Sequence, residues 1–158
     1  MPDLHPDLAP IAQLVGTWRG SGTGSYPTIE DFAYREEVTF GHVGKPFLAY
    51  GQKTRDAGTD LPLHAETGYW RLIEGRDVEV VLAHPTGIVE LLLGTFDDGV
   101  FDLGSSAVVG TPTAKSVTEI RRRFEVSGDE LRYELAMAAV GKPLTHHLSA
   151  TLHRVTVD

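Results

Sequence analysis

From Gly16 onward, apolar and polar residues alternate with a period of two, the pattern of strands that turn one face to a core and the other to water. Phe32, Tyr34, Val38 and Phe40 share one face of the clearest example, with Arg35, Glu37 and Thr39 on the other. The same alternation predicts strands over 47–53, 64–72, 77–83, 88–94, 100–109, 116–126, 130–139 and 144–155. Turn chemistry separates them: Val43-Gly44-Lys45-Pro46, Glu74-Gly75-Arg76, Asp97-Asp98-Gly99, Ser127-Gly128-Asp129 and Gly141-Lys142-Pro143. Ahead of the strands, Leu8, Ile11, Leu14 and Val15 follow helical spacing and Gly16 supplies a stop, which predicts a short helix lying across one end as a plug.

Short links favour antiparallel neighbours in simple up-and-down order. About ten short strands need closure or two stacked sheets to protect their edges. The expected fold is therefore all-β: an antiparallel up-and-down barrel of about ten strands with a short N-terminal helix and a largely apolar interior. An immunoglobulin-like sandwich is the rival, but the cysteine pair that marks a true immunoglobulin domain is missing. No linker, low-complexity segment or fixed-period repeat divides the chain, so residues 1–158 are expected to form a single domain.

The absence of cysteine excludes disulfides, thiolate metal sites, iron–sulfur clusters and covalently attached haem. Met1 to Pro10 show no basic region followed by an apolar run, which predicts no secretory signal and a cytoplasmic location. No stretch approaches the roughly 20 apolar residues that cross a bilayer, so no membrane association is expected. A net charge of −8 repels phosphate backbones and argues against nucleic acid as a partner. The one basic run, Arg121, Arg122 and Arg123, lies inside a predicted strand and is read as a solvated face.

Between Gly16 and Tyr26 every second residue is glycine or aromatic: Gly16, Trp18, Gly20, Gly22, Gly24 and Tyr26 share one face. Strand glycine marks either sharp curvature or the close approach of a flat ligand or a crossing chain, and tight bends are the favoured reading. The run lacks the spacing and the following helix of a dinucleotide fingerprint, and Pro46 stands where a phosphate loop needs Ser or Thr. No Gly-x-Ser-x-Gly elbow supports hydrolase chemistry. Glu36 and Glu37 point to opposite faces of their strand and cannot act as a pair. Met137 shares a face with Leu131, Tyr133 and Leu135, as core or pocket lining. Among seven histidines, His146, His147 and His153 invite a zinc reading, yet no acidic or cysteine partner sits at ligand spacing.

The segment Gly16-x-Trp18-x-Gly20-x-Gly22-x-Gly24-x-Tyr26-Pro27-Thr28-Ile29 resembles the signature of the nitrobindin family. So do Gly44-Lys45-Pro46, Leu63-His64-x-Glu66-x-Gly68-Tyr69, Ala83-His84-Pro85-x-Gly87 and the closing His147-Leu148-x-Ala150-x-Leu152. The likeness runs in order along nearly the whole chain. It implies a ten-stranded barrel holding one b-type haem (haem b, one per chain) near an open end, with His147 as the iron ligand and catalytic centre. By the same match Leu63, His64 and Met137 line the haem cavity. Lys115 would contact a propionate, where an ammonium pairs with a carboxylate. Thr28 would lie at the pocket rim or cap its turn. The resemblance further implies binding of nitric oxide by ferrous haem, isomerisation of peroxynitrite to nitrate by ferric haem, no strong acid–base group opposite the iron, and a homodimer. No exposed apolar stripe is evident from which to derive that dimer.

Simple alternation puts His146, not His147, on the face of Leu148, Ala150 and Leu152. A bulge after Pro143, or a site at the rim, would reconcile this with an iron ligand at His147. Two other readings of the barrel stay open. One is a non-enzymatic carrier of fatty acid or another apolar molecule, which would not require a strand histidine before Leu148. The other is an interaction module whose interior is filled by side chains.

Overall fold

The computed structural model describes residues 1–156. Ten strands follow one another: β1 (Gly16–Tyr26), β2 (Ile29–Gly41), β3 (Leu48–Asp56), β4 (Pro62–Ile73), β5 (Asp77–His84), β6 (Ile88–Asp97), β7 (Val100–Gly110), β8 (Val117–Ser127), β9 (Glu130–Ala139) and β10 (Thr145–Arg154). Each pairs antiparallel with its sequence neighbours, and β1 pairs with β10 to close the barrel. The alternation in the sequence thus produced the architecture it predicted, a closed barrel whose β7–β8 seam is paired from Val100 to Gly104. Among the described residues no helix is long and apolar enough to cross a membrane.

Pro6–Leu14 is a 3-10 helix, kinked where Ile11 leaves helical geometry just after Pro10. Residues three apart eclipse in this geometry, so Leu8, Ile11 and Leu14 stack on one side and are buried. Trp18 Nε1 donates to the Leu14 carbonyl at 2.9 Å and fastens the plug. Beneath it, Trp70 meets Phe40, Phe101 and Phe124 edge-on at 5.0–5.2 Å between ring centroids. This end of the barrel is solid. The other end has room.

The glycine face of β1 serves barrel closure. A Cβ at Gly20 would lie 2.0 Å from the Thr151 carbonyl oxygen of β10, and one at Gly24 would lie 2.2 Å from the Phe32 ring. Only bare backbone allows β1 to sit this close to its neighbours.

The interior departs from the apolar filling expected. Its middle layer is polar: Glu36, Gln52, Glu66, Glu90 and Arg122 are all buried. Arg122 corrects the reading of the basic run, because only Arg121 and Arg123 face solvent. Arg122 alternates with Ile120, Phe124 and Val126, and that parity carries it inward. Its guanidinium bridges the lumen, with Nη1 donating to Glu66 Oε2 at 2.8 Å and Nη2 to Glu90 Oε1. Three non-adjacent strands, β4, β6 and β8, are thereby tied together across the barrel.

The outer wall also differs from expectation. Tyr69, Val81 and Leu91 stand side by side across β4, β5 and β6, and Leu93, Val89 and Val109 extend this apolar patch in the open. β6 contributes Val89, Leu91 and Leu93, and cross-strand register brings Tyr69 of β4, Val81 of β5 and Val109 of β7 to the same face.

Candidate functional site

The open end of the barrel encloses a cavity of about 670 Å³ whose lining includes residues of β4, β8, β9 and β10. Its walls include Phe32, Leu63, Ile88, Val117, Ile120, Leu135, Met137 and Leu148, and its floor is formed by Tyr34, Glu66 and Arg122 of the polar layer. A volume of this size accommodates a ligand as large as an organic cofactor.

His147, Leu63, His64, Met137 and Lys115 all line this cavity. Thr28 does not: it is exposed in the turn between β1 and β2, and the following Ile29 and Glu30 reach the cavity instead.

The register of β10 decides which of the paired histidines faces the cavity. His146 pairs with Ala136 and Leu148 with Leu135, so two residues of β9 oppose three of β10 and His147 is the extra one. This β-bulge turns His147 inward beside Leu148. His146 remains exposed and shares a 2.9 Å hydrogen bond with Ser149 Oγ.

His147 Nδ1 lies 2.9 Å from the Ser25 carbonyl oxygen. A carbonyl only accepts, so Nδ1 carries the proton and donates, which leaves Nε2 with the free lone pair. Burial lowers the His147 pKa, and His146 adds to this, while the Ser25 carbonyl works in the opposite direction. The ring is therefore neutral near pH 7. Tyr26 and Phe32 hold it edge-on at 5.4 and 6.3 Å between centroids. Tyr26 is itself fixed, because its hydroxyl accepts from the Ala139 N–H at 3.0 Å.

These features fit a haem on chemical grounds. The cavity presents a neutral imidazole with one orienting carbonyl, an apolar wall, and a lysine for an anionic edge.

A chain of hydrogen bonds crosses the cavity floor. His84 Nε2 lies 2.6 Å from Glu90 Oε1, and His84 Nδ1 lies 3.1 Å from His64 Nε2. Burial would raise the Glu90 carboxyl, but Arg122 and His84 outweigh it and hold that carboxyl below its usual range. The ionised carboxylate accepts from His84 Nε2–H, and His84 Nδ1 and His64 Nε2 share the second hydrogen bond. Burial lowers the His64 pKa, and the ring stays neutral.

Sequence reasoning placed Glu66 and His84 inside family motifs without giving them a role, and it missed Glu36, Glu90 and Arg122 as interior groups. Their parity with Trp70, Leu82, Val38, Leu92 and Phe124 was the available signal.

Glu36 stands apart from these pairs. Gln52 Nε2 donates to its Oε2 at 2.5 Å and the Tyr133 hydroxyl donates to the same oxygen at 3.0 Å. Burial nevertheless pushes its carboxyl from the ordinary 4.5 up to about 7. The folded protein therefore holds a proton that the unfolded chain releases between those values, and stability falls as pH rises through that window. Glu36→Gln removes the titration. Its stability is expected to gain on the wild type by about 3 kcal/mol between pH 5 and 8, read from urea midpoints across that range. Parallel pH profiles would contradict this.

Comparisons with known proteins converge on one group. The model of a THAP4-like, haem-binding β-barrel domain matches residues 7–154. A peroxynitrite isomerase 2 of Mycobacterium marinum is 56% identical over 156 residues, spanning 96% of this chain and 97% of that one. A peroxynitrite isomerase of Nocardia farcinica is 56% identical over 155 residues, spanning 96% and 92%. The crystal structure of Rv2717c from M. tuberculosis superposes with a TM-score of 0.92 at 49% identity, covering 98% of this chain and all of the other.

Proposed function

Because the chain belongs to the THAP4-like haem-binding β-barrel family, the nitrobindins, we propose that it holds one b-type haem through His147 and isomerises peroxynitrite to nitrate. The observation that carries the reading is the His147 imidazole, locked by the Ser25 carbonyl with its Nε2 lone pair left to an apolar-walled cavity.

When bound, ferric haem supplies a Lewis-acidic iron for the peroxide group of peroxynitrite, and ferrous haem supplies a binding position for nitric oxide. The chain's own residues supply position, dryness and electrostatics. The bulge in β10 aims His147, and Ser25 fixes its tautomer and raises its basicity as a donor. Phe32, Leu63, Met137 and Leu148 keep bulk water away from a reactive ligand. Lys115, which lines the cavity, would pair with a propionate. Arg122 engages Glu66 Oε2 and Glu90 Oε1, and the Glu90 carboxylate it holds ionised carries no proton to give to an anion in the cavity.

Stopped-flow mixing of peroxynitrite with the ferric, haem-loaded protein tests the proposal. It predicts faster decay, nitrate as the product, and less nitration of an added phenol. Decay no faster than in buffer, or native mass spectrometry that finds a fatty acid where haem is expected, would contradict it.

The acidic, cysteine-free chain suits a cytoplasmic protein whose partners are small molecules rather than nucleic acid or membrane. The patch around Tyr69, Val81 and Leu91 supports a homodimer formed through the outer wall of β4–β6. Light scattering should then give twice the mass of one chain for the wild type and a monomer for Leu91→Arg. A monomeric wild type refutes the dimer.

A further inference from the structure

His64 and Glu66 lie two residues apart on β4 and so share its inner face. One step beyond the Thr67–Ala83 pair, His84 of β5 comes alongside Glu66. One ligand atom from each of the three falls within 4.8 Å of the other two. His64 Nε2 and His84 Nδ1 are 3.1 Å apart, and His64 Nε2 is 3.9 Å from Glu66 Oε1. A tetrahedral zinc ion with bonds of about 2.0–2.1 Å holds its ligand atoms about 3.3 Å from one another. The first spacing is about 0.2 Å shorter than that and the second about 0.6 Å longer.

The surroundings are those of a supported metal site. His84 keeps its second nitrogen on Glu90 Oε1 at 2.6 Å, the carboxylate–histidine pairing that orients a ligating imidazole. Glu66 is anchored through Oε2 by Arg122, which leaves Oε1 for another partner. Among the described residues Glu90 Oε2 is buried without a hydrogen-bond partner. Two carboxyl groups face one guanidinium here.

We propose that His64 Nε2, His84 Nδ1 and Glu66 Oε1 form a second, non-haem metal site on the cavity floor for a divalent cation of the zinc class. Two imidazoles and one carboxylate suit zinc or cobalt, whereas magnesium and calcium require oxygen ligands throughout. The proton now shared between the two rings moves to His64 Nδ1 when the ion enters, so His64 stays neutral. Three protein ligands leave the fourth position to a water or small anion from the cavity. The three ligands stand on β4 and β5, whereas His147 stands on β10, which neighbours only β1 and β9; all four line the same cavity. The site goes beyond the haem reading and does not depend on it.

The test is a calorimetric titration of zinc chloride into the chelator-treated full-length chain with no haem added, followed by the visible spectrum of the same chain with cobalt(II). One ion per chain and intense tetrahedral cobalt bands are expected. His64→Ala and His84→Ala should each weaken binding by more than about a hundredfold, and Glu90→Gln by about 10–100-fold. His146→Ala, an exposed neighbour elsewhere, should leave it unchanged. His64 lies at the cavity surface, so His64→Ala is expected to fold, and Glu66→Gln provides a second near-isosteric check. Absence of one-to-one binding in the wild type, or binding that survives both His64→Ala and Glu66→Gln, overturns the site. A haem titration of the same preparation gives its result independently.

Discussion

Arg122→Met is expected to lose about 3–5 kcal/mol of folding stability, the range found when one partner of a buried ion pair is removed. Arg122 is 5% exposed, and the carboxylates it meets, Glu66 and Glu90, are 5% and 0% exposed as side chains. Methionine fills similar space but leaves two carboxylates with no cation in a water-poor layer. At about 2 kcal/mol per molar urea, the midpoint of the haem-free protein should fall by about 2 M at pH 7. The deficit should shrink as pH falls. In the wild type Arg122 keeps Glu90 ionised, but in the variant burial raises the carboxyls and protonation relieves them. Adding Glu66→Gln and Glu90→Gln to the variant should restore most of the loss, since the amides carry no charge. A variant as stable as the wild type at pH 7 would mean that the polar layer tolerates unpaired carboxylates.

His147→Ala is expected to have the largest effect on function. The half-buried ring is held by one backbone carbonyl and two aromatic edges at the mouth of the cavity. Removing it should change the stability of the haem-free chain by no more than about 1 kcal/mol, an ordinary value for a substitution outside the core. Haem affinity should drop at least about a hundredfold, or roughly 2.8 kcal/mol. Peroxynitrite isomerisation should fall to the rate given by free haem. Free imidazole should recover part of both, because the variant retains the apolar wall and gains the space the ring vacated. His146→Ala should match the wild type in haem binding and isomerisation, since that ring faces solvent.

The strands and turns were legible in the sequence because period-two alternation and turn glycines act locally. The helix was legible for the same reason: Leu8, Ile11 and Leu14 repeat every third residue, which serves a 3-10 turn as well as an α-turn. The polar layer was harder to read. Arg122 stands between two arginines that do face solvent, so the run as a whole reads as surface, and only its parity with Ile120 and Phe124 betrays it. Glu36 sits beside Glu37 in the same way. His147 was legible only through resemblance to a family. Its inward turn depends on one extra residue in β10 relative to β9, a fact of pairing that a single strand does not contain. The cluster of His64, Glu66 and His84 depends on register between β4 and β5, although His64-x-Glu66 already placed two ligand types on one face. The apolar patch on β4–β6 is likewise a product of register.

The central claim is that His147 is the protein's bond to iron. Resonance Raman spectroscopy of the ferrous, haem-loaded protein tests it directly through the iron–imidazole stretching band. The band is predicted for the wild type and for His146→Ala, and it should be absent from His147→Ala until free imidazole is added. A band that persists unchanged in His147→Ala, or one that disappears in His146→Ala, would contradict the assignment.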